Sequence, residues 1–405
     1  ATAVGLTAKA VQNGTALGNE AKAQAEYTLA AGRQAVASSA QATALGNEAY
    51  AQGTNTVALG YKAVTTNNNA IAIGNSTSAT GTAALAAGNR TIAGGASAIA
   101  LGDRAFTSSA NAIAMGTSTG ANGDNTIAIG TNAKANGEKS ISIGYANVVT
   151  GKRSYAIGDP SAVTGDDLGS LGNDNTVSGT STAVIGNQNM VTGNSVGVFG
   201  DKNYVSTAAG VNNSFVIGNT NGTSANPITA DNTFIIGNHV TSATANSVIL
   251  GNQSGYVAAG TTTAGLNTYN SAMIGGQTYN FAAGSTAGVV SVGDVGAARR
   301  IPNVSAGLVT ADSTDAINGS QLYVVASTAE VGITSNAVSI SNAVTSIGSN
   351  ATAIATNSTA ISNSVTSIGS NAAAISANST AISNAVTSIG SNATAIGANS
   401  TAISN

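Results

Sequence analysis

Glycine stands at positions 18, 32, 46, 60, 74, 88, 102, 116, 130, 144, 158, 172, 186 and 200, so every interval is 14 residues. A second glycine often follows 7 residues later, at 53, 81, 95, 123, 137, 151, 165, 179 and 193. A helix would lose about 1 kcal/mol at each such glycine, so a helical reading fails. Before the closing glycine, apolar residues alternate with small ones, as in Ala70-Ile71-Ala72-Ile73-Gly74 and Thr126-Ile127-Ala128-Ile129-Gly130. A period of two points one set of side chains inward and reads as strand. The glycine permits positive φ, and Asn19, Asn47, Asn75, Asp103 and Asn187, which follow closing glycines, also tolerate turns.

Each unit therefore has two turns and two extended arms. Fourteen residues give a contour of about 46 Å, which suits a flattened roll of two five-residue arms and is too short for a three-sided coil. Coils stack about 4.8 Å apart through backbone hydrogen bonds. The interior is expected to hold only Ala, Val, Ile and Leu, one layer deep. So thin a roll buries little, and stacking and self-association are expected to stabilise it.

Beyond Gly200 the period slips. The matching glycines are Gly218, Gly237, Gly251, Gly275 and Gly293, and the arms are bulkier, as in Ser214-Phe215-Val216-Ile217 and Thr233-Phe234-Ile235-Ile236. This is read as a solenoid continuing with loop insertions, which are common binding places on a repeat scaffold.

The last segment changes period again. Isoleucine occupies 333, 340, 347, 354, 361, 368, 375, 382, 389, 396 and 403, in strict steps of 7. A sustained heptad means a left-handed coiled coil. No charged residue occurs from Val331 to Asn405, so flanking salt bridges set neither partner nor register. Helix propensity is poor, and association must hold these helices. Two registers are open. With Ile at d, the a positions are Ala337, Val344, Ala351, Ser358 and Val365. With Ile at a, d falls on Asn336, Ala343, Asn350, Asn357, Ser364, Asn371, Asn378, Ala385, Asn392 and Asn399. Core Asn costs stability but fixes register and oligomer state, and three inward amides offer a place for an anion or a water.

Composition excludes several classes. Only 7% of residues are charged and the net charge is -3, so there is no electrostatic case for nucleic acid or acidic lipid. The absence of cysteine excludes disulfides, thiolate catalysis and Cys-ligated metals. No apolar run approaches the roughly 20 residues of a membrane span. No signal peptide opens the sequence, so any secretion or anchoring element is expected outside this sequence.

Together these features resemble the passenger region of a trimeric autotransporter adhesin. The 14-residue units look like a YadA-type head, which implies a trimeric left-handed parallel β-roll. Arg299-Arg300-Ile301-Pro302-Asn303-Val304, followed by Asp315-Ala316-Ile317-Asn318-Gly319-Ser320-Gln321-Leu322, is similar to that family's neck. The Ile-x-x-Asn heptads resemble its parallel trimeric coiled-coil stalk, which implies chloride held by Asn336, Asn350, Asn357, Asn371, Asn378, Asn392 and Asn399; Ala343, Ser364 and Ala385 depart from the pattern. The resemblance also implies a C-terminal β-barrel anchor, which is expected to lie outside this sequence. The expected organisation is a β-roll head over 1–200, an irregular head continuation over 201–298, a neck over 299–324 and a stalk over 325–405. A head motif tied to collagen binding in some members resembles Asn246-Ser247-Val248-Ile249-Leu250-Gly251-Asn252-Gln253-Ser254, with Ile-Leu where that motif has Ala-Ile. Candidate ligand contacts are therefore Asn246, Ser247, Val248, Gly251 and Ser254. A weaker match is Asn111-Ala112-Ile113-Ala114-Met115-Gly116.

The other polar residues have plainer readings. His239 is the only histidine and reads as a loop residue, with no cluster around it for a metal or a triad. Asp166, Asp167 and Asp174 lack the fixed spacing of calcium-binding solenoids and read as solvated turns. Arg299 and Arg300 are expected to pair across subunits or cap carbonyls rather than grip an anionic ligand. No reaction is expected, and no cofactor beyond stalk chloride. The function expected is attachment, at the bacterial cell surface, of a homotrimer to a host matrix protein, a cell-surface receptor or other bacterial cells, with no nucleic acid and no membrane contact. The alternatives are a hexapeptide-type acyltransferase, disfavoured by the 14-residue period, and a structural spacer or ice-binding solenoid, the latter disfavoured because threonine recurs at no single repeat position.

Overall fold

The computed structural model describes residues 1–206 and 210–405. It divides into two compact units, 1–302 and 303–405.

In the first unit, parallel pairing at an offset of 14 repeats along the chain. Ile71–Ile73 lies between Val57–Leu59 and Leu85–Ala87, and Val64–Thr65 between Tyr50–Ala51 and Ser78–Ala79. The three-residue strands before the closing glycines build a 19-stranded sheet, here the broad sheet; the two-residue strands build a 16-stranded one, the narrow sheet. Most arms are shorter than the five residues expected, because the turns consume the rest, while Thr176–Thr180 and Met190–Asn194 reach five. Gly74 has φ 127°, Ser76 φ 54° and Ala83 φ 56°, and equivalent positions repeat this along the head. One further coil, missed by the glycine count, precedes Gly18. Thr2–Val4 pairs with Thr15–Leu17 at an offset of 13, so it falls off the 14-residue period.

The inward side chains are the small ones. Ala58, Ala72 and Ala86 are fully buried with Ala51 and Ala79 in one cluster, whereas Ile71 is half-buried and Ile73 is 40% exposed. The expectation of an interior made only of Ala, Val, Ile and Leu therefore needs two corrections. Over the first coils the sheets lie too close for larger aliphatic side chains, so the large residues face outward. The interior also holds Thr56, Thr77, Thr91, Asn147, Asn175 and Asn189, all buried. From Val149 the core changes from Ala to Val and Ile, ending at Ile235, Val240 and Ile249.

Beyond Gly200 the solenoid continues through its insertions. Phe215–Ile217 joins Gly197–Phe199 at an offset of 18, Phe234–Ile236 follows at 19 and Val248–Leu250 at 14. Gly275, however, closes no coil. Ser271–Ile274 turns back antiparallel onto Gln277–Asn280. Gly275 at φ 59° and Gly276 at φ 83° supply the two positive-φ residues of a tight hairpin turn. The coil resumes only at Val290–Ser291, beside Val248 and Ile249.

The second unit is built on one helix, Gly319–Ser404. Its N-cap is Asn318, whose Oδ1 accepts from Gln321 N while Gln321 Oε1 accepts from Asn318 N, a capping box. The Gln321 amide also grips the Gly307 backbone, with Nε2 donating to its O at 2.7 Å and Oε1 accepting from its N at 3.0 Å. Asn318 Nδ2 donates to Val304 O at 3.1 Å, and Asp315 Oδ2 accepts from Leu308 N at 2.9 Å. The Asp315-to-Leu322 motif thus folds the preceding segment back along the helix start. No residue of the helix is buried, and it is not apolar enough to cross a membrane. At about 1.5 Å per residue it is about 130 Å long, and a lone helix without a packed face has little to hold it.

Candidate functional surfaces

The outer face of the broad sheet carries two columns of mostly apolar side chains, because residues one and three of each strand point away from the interior; the first column is interrupted at Thr15, Thr43, Gly169 and Gly197. At every coil from Leu17 to Leu250 the third position is Leu, Ile, Met, Phe or Ala. These side chains are neither core nor free: Leu45 is 43% exposed, Ile157 41% and Phe199 37%. In the first column Phe215 and Phe234 stack with centroids 5.5 Å apart, and Phe199 tilts against Phe215 at 5.3 Å. The narrow sheet is different outside. Six residues after the closing glycine come Ser38, Gln52, Thr66, Thr80, Asn122, Asn136, Thr150, Thr164, Ser178 and Thr192. Threonine does recur at one repeat position, contrary to expectation, but shares it with amides and serines and with Gly94.

The 246–254 segment is one coil arm and its turn. Asn246 is exposed at φ 57°, and its Oδ1 accepts from Asn232 Nδ2 at 3.2 Å. Ser247 is buried, its Oγ accepting from Val289 N at 2.9 Å. Val248 is half-buried in the broad sheet. Gly251 has φ 104°, and a Cβ there would stand 2.9 Å from the Arg299 guanidinium carbon. Ser254 is buried, donating to Leu250 O at 2.6 Å and accepting from Arg299 Nη1 at 2.8 Å. Asn111 has φ 55° and donates to Asn125 Oδ1 at 3.1 Å. Arg299 also donates to Val292 O at 2.8 Å and to Asn252 O, so it caps carbonyls.

His239 sits in a turn at φ 56°, its Nδ1 3.3 Å from Asn252 Oδ1. Asp166 Oδ1 accepts from Lys152 N at 2.9 Å, and Asp167 takes a two-pronged ion pair from Arg153 at 2.6 and 2.7 Å. Hydrogen bonding from that guanidinium holds the Asp167 carboxyl below the usual carboxylate range. Asp174 is a turn residue at φ 55°. Among the described residues no group of His, Asp and Glu is arranged to hold a metal.

One polar feature escaped the sequence reading. The third residue after the closing glycine points inward, and at 175, 189, 203 and 221 it is Asn, forming a buried ladder. Asn175 Oδ1 accepts from Asn189 N at 3.0 Å and Nδ2 at 3.1 Å, and Asn189 Nδ2 also donates to Gly200 O at 2.7 Å. Asn189 and Asn203, then Asn203 and Asn221, repeat the pattern. The recurrence at a fixed distance from glycine was the available signal.

On the helix, Asn336, Asn350, Asn357, Asn371, Asn378, Asn392 and Asn399 each lie three residues after an isoleucine of the heptad series, on the same face. Neighbouring hydroxyls fold back on their own helix, as Thr352 does to Gly348 O and Thr359 to Ala355 O. Among the described residues these seven amides make no such side-chain bond, and all seven positions are exposed.

The fold is thus a parallel β-solenoid of short coils, with a heptad helix in a second unit. The YadA head domain repeat (2 copies) matches residues 12–35, 23–49, 51–77, 93–119, 121–147 and 387–403. Over those matched segments the head coils are similar to YadA head repeats. Autotransporter adhesin BtaE of Brucella suis biovar 1 (strain 1330) is 53% identical over 53 residues, 12% of this chain and 7% of that protein's length. The C-terminal YadA-like domain of BPSL2063 from Burkholderia pseudomallei is 38% identical over 26% of this chain and 46% of that one, with a TM-score of 0.23. The match at 387–403 falls inside the helix. There Thr394-Ala395-Ile396-Gly397 repeats the head's arm sequence, and a heptad is half of a 14-residue coil.

Proposed function

We propose that this chain is the head, neck and stalk portion of a homotrimeric adhesin displayed at a bacterial cell surface, which binds without catalysing a reaction. The observation that carries the proposal is the apolar third-position column on the outer face of the broad sheet, which runs without a polar residue from Leu17 to Leu250. A soluble monomer rarely exposes so large an apolar strip, and a thin Ala core leaves much of the coil's apolar surface to be buried by association. The helix supports the same reading, since its isoleucines have nothing to pack on within one chain.

With the broad sheet turned to the assembly, the narrow sheet, the turns and the insertions are left for the ligand. The ligand would be a host matrix protein, a cell-surface receptor or another bacterial cell. Within 246–254, Asn246 in its turn is left for the ligand, Val248 lies in the column turned to the assembly, and Ser247 and Ser254 support the coil. In the stalk, amides from Asn336, Asn350, Asn357, Asn371, Asn378, Asn392 and Asn399 would each hold chloride with their counterparts on two other copies.

Attachment tests this. Cells displaying the chain without residues 1–298 should lose attachment, whereas cells with a shortened stalk should keep it at reduced reach. Equal attachment by headless cells would contradict the proposal.

A further inference from the structure

The hairpin Ser271–Ile274 and Gln277–Asn280 is the least self-sufficient element of the first unit. A two-stranded hairpin is marginally stable in water, and this one leaves Met273 76%, Ile274 59% and Tyr279 52% exposed. At its base Tyr269 stacks on Phe281 at 5.5 Å, and that pair is itself largely uncovered. From Val240 to Gly293 there is no charged residue and no proline. Exposed strand edges are ordinarily blunted by such residues.

The hairpin also has a defined place in the coil. The chain leaves after Tyr256, whose N donates to Ser242 O at 3.3 Å, and returns at Val289, whose N donates to Ser247 Oγ. The excursion therefore replaces the turn that leads into the broad sheet, and it re-enters at Val290, next to Val248. Val290 is 69% exposed and extends the outer column that contains Phe215, Phe234 and Val248. The excursion that carries the hairpin thus re-enters the coil at the border of the face assigned above to assembly.

We infer that the hairpin is a clasp: its Met273–Ile274 end packs on a second copy of this chain, beside the apolar column of that copy's last coils. This rests on the assembly reading of the broad sheet and adds to it a named contact. Continuity with the apolar column and the lack of charge favour another copy over a bilayer, since residues 240–293 hold no basic side chain to meet an acidic headgroup.

The chain has no cysteine, so single-cysteine variants report one position each. Met273→Cys carrying a benzophenone maleimide would be photolysed in the full chain at a concentration where sedimentation gives an assembled mass. Thr176→Cys, exposed on the narrow sheet, serves as the comparison. The clasp predicts a covalent product of two chains from position 273, at least ten times its yield from position 176. An assembled chain with equal yields overturns the clasp and leaves the assembly reading standing. A chain that sediments as a monomer overturns both. Capture of position 273 only by added phosphatidylcholine vesicles assigns the hairpin to a bilayer and overturns the clasp.

Discussion

Arg299 Nη1 donates to Ser254 Oγ at 2.8 Å, across 45 residues, at the place where the stacking of coils ends. In a continuing stack, the second residue after one closing glycine donates its N–H to the first residue after the previous one, as Gln253 does to Asn238 O at 2.8 Å and His239 to Asn219 O at 3.1 Å. The resumed arm does not serve Asn252 O, since Val295 N donates to Asp294 Oδ1 at 2.7 Å, and the Arg299 guanidinium takes that oxygen instead. The guanidinium also lies against Gly251, where earlier coils meet the next closing glycine. One side chain thus substitutes for the backbone of a further coil.

Arg299→Ala should therefore fray the last coil. Hydrogen exchange at Gly251 and Gln253 is expected to quicken at least tenfold, since losing hydrogen bonds to a charged group costs about 1.5 kcal/mol or more. Arg299→Lys should not restore protection, because an ammonium lacks the planar fork that reaches several acceptors. Unchanged exchange in the alanine variant would remove the capping role.

The buried asparagine ladder makes a second prediction. Asn189→Ala leaves the Gly200 carbonyl and the Asn203 backbone N–H without these partners in a dry interior, and takes one of its two donors from Asn175 Oδ1. The expected loss is about 3 kcal/mol, read as a lower denaturation midpoint. Asn187→Ala, on the exposed ladder to Asp201, should cost about 0.5 kcal/mol or less, because water replaces the lost partner.

Thr107 faces the interior fully buried, and its Oγ1 has no hydrogen-bond partner. Its neighbours in the column, Ala93 and Ala121, are apolar. Thr107→Val keeps the shape and removes the unpaired hydroxyl, so the head should gain about 1 kcal/mol. A lower thermal midpoint for this variant would show that the hydroxyl is satisfied in solution.

Acid should weaken the head in a defined window. Asp103 is held low by the Asn89 amide, Glu138 by Lys139 and Asp167 by Arg153. A carboxylate lowered in the folded state contributes stability above its unfolded value, near 4, and loses it as pH falls through the folded value. Lys62 is raised by Tyr61 and Glu48 and contributes below its unfolded value, losing the contribution only at strongly alkaline pH. These groups are exposed, so the effect is small and screened by salt. Thermal melts from pH 5 down to pH 2 should show a declining midpoint, with a smaller decline for Asp167→Asn combined with Arg153→Gln.

Most of the head was legible from glycine, because a positive-φ turn at a fixed interval dictates a coil whatever lies between. The sense of the alternation was not legible. Ile71-Ala72-Ile73 alternates equally well either way, and only the closeness of the two sheets decides that Ala72 goes in. Gly275 failed for a related reason. Ala272-Met273-Ile274-Gly275 reads as a coil arm until Gly276 turns it into a hairpin. The heptad from Ile333 gave the helix, while its start at Gly319 depended on the Asn318 and Gln321 capping box. Of the 246–254 candidates, the pattern could not reveal that Ser254 is enclosed by an arginine 45 residues away.

Sedimentation equilibrium on the full chain tests the central claim most directly. The apolar face of the broad sheet and the uncovered Ile333-to-Ile403 series together predict a single species near three times the chain mass of 38.9 kDa. A folded species near 38.9 kDa at micromolar concentration would contradict the account.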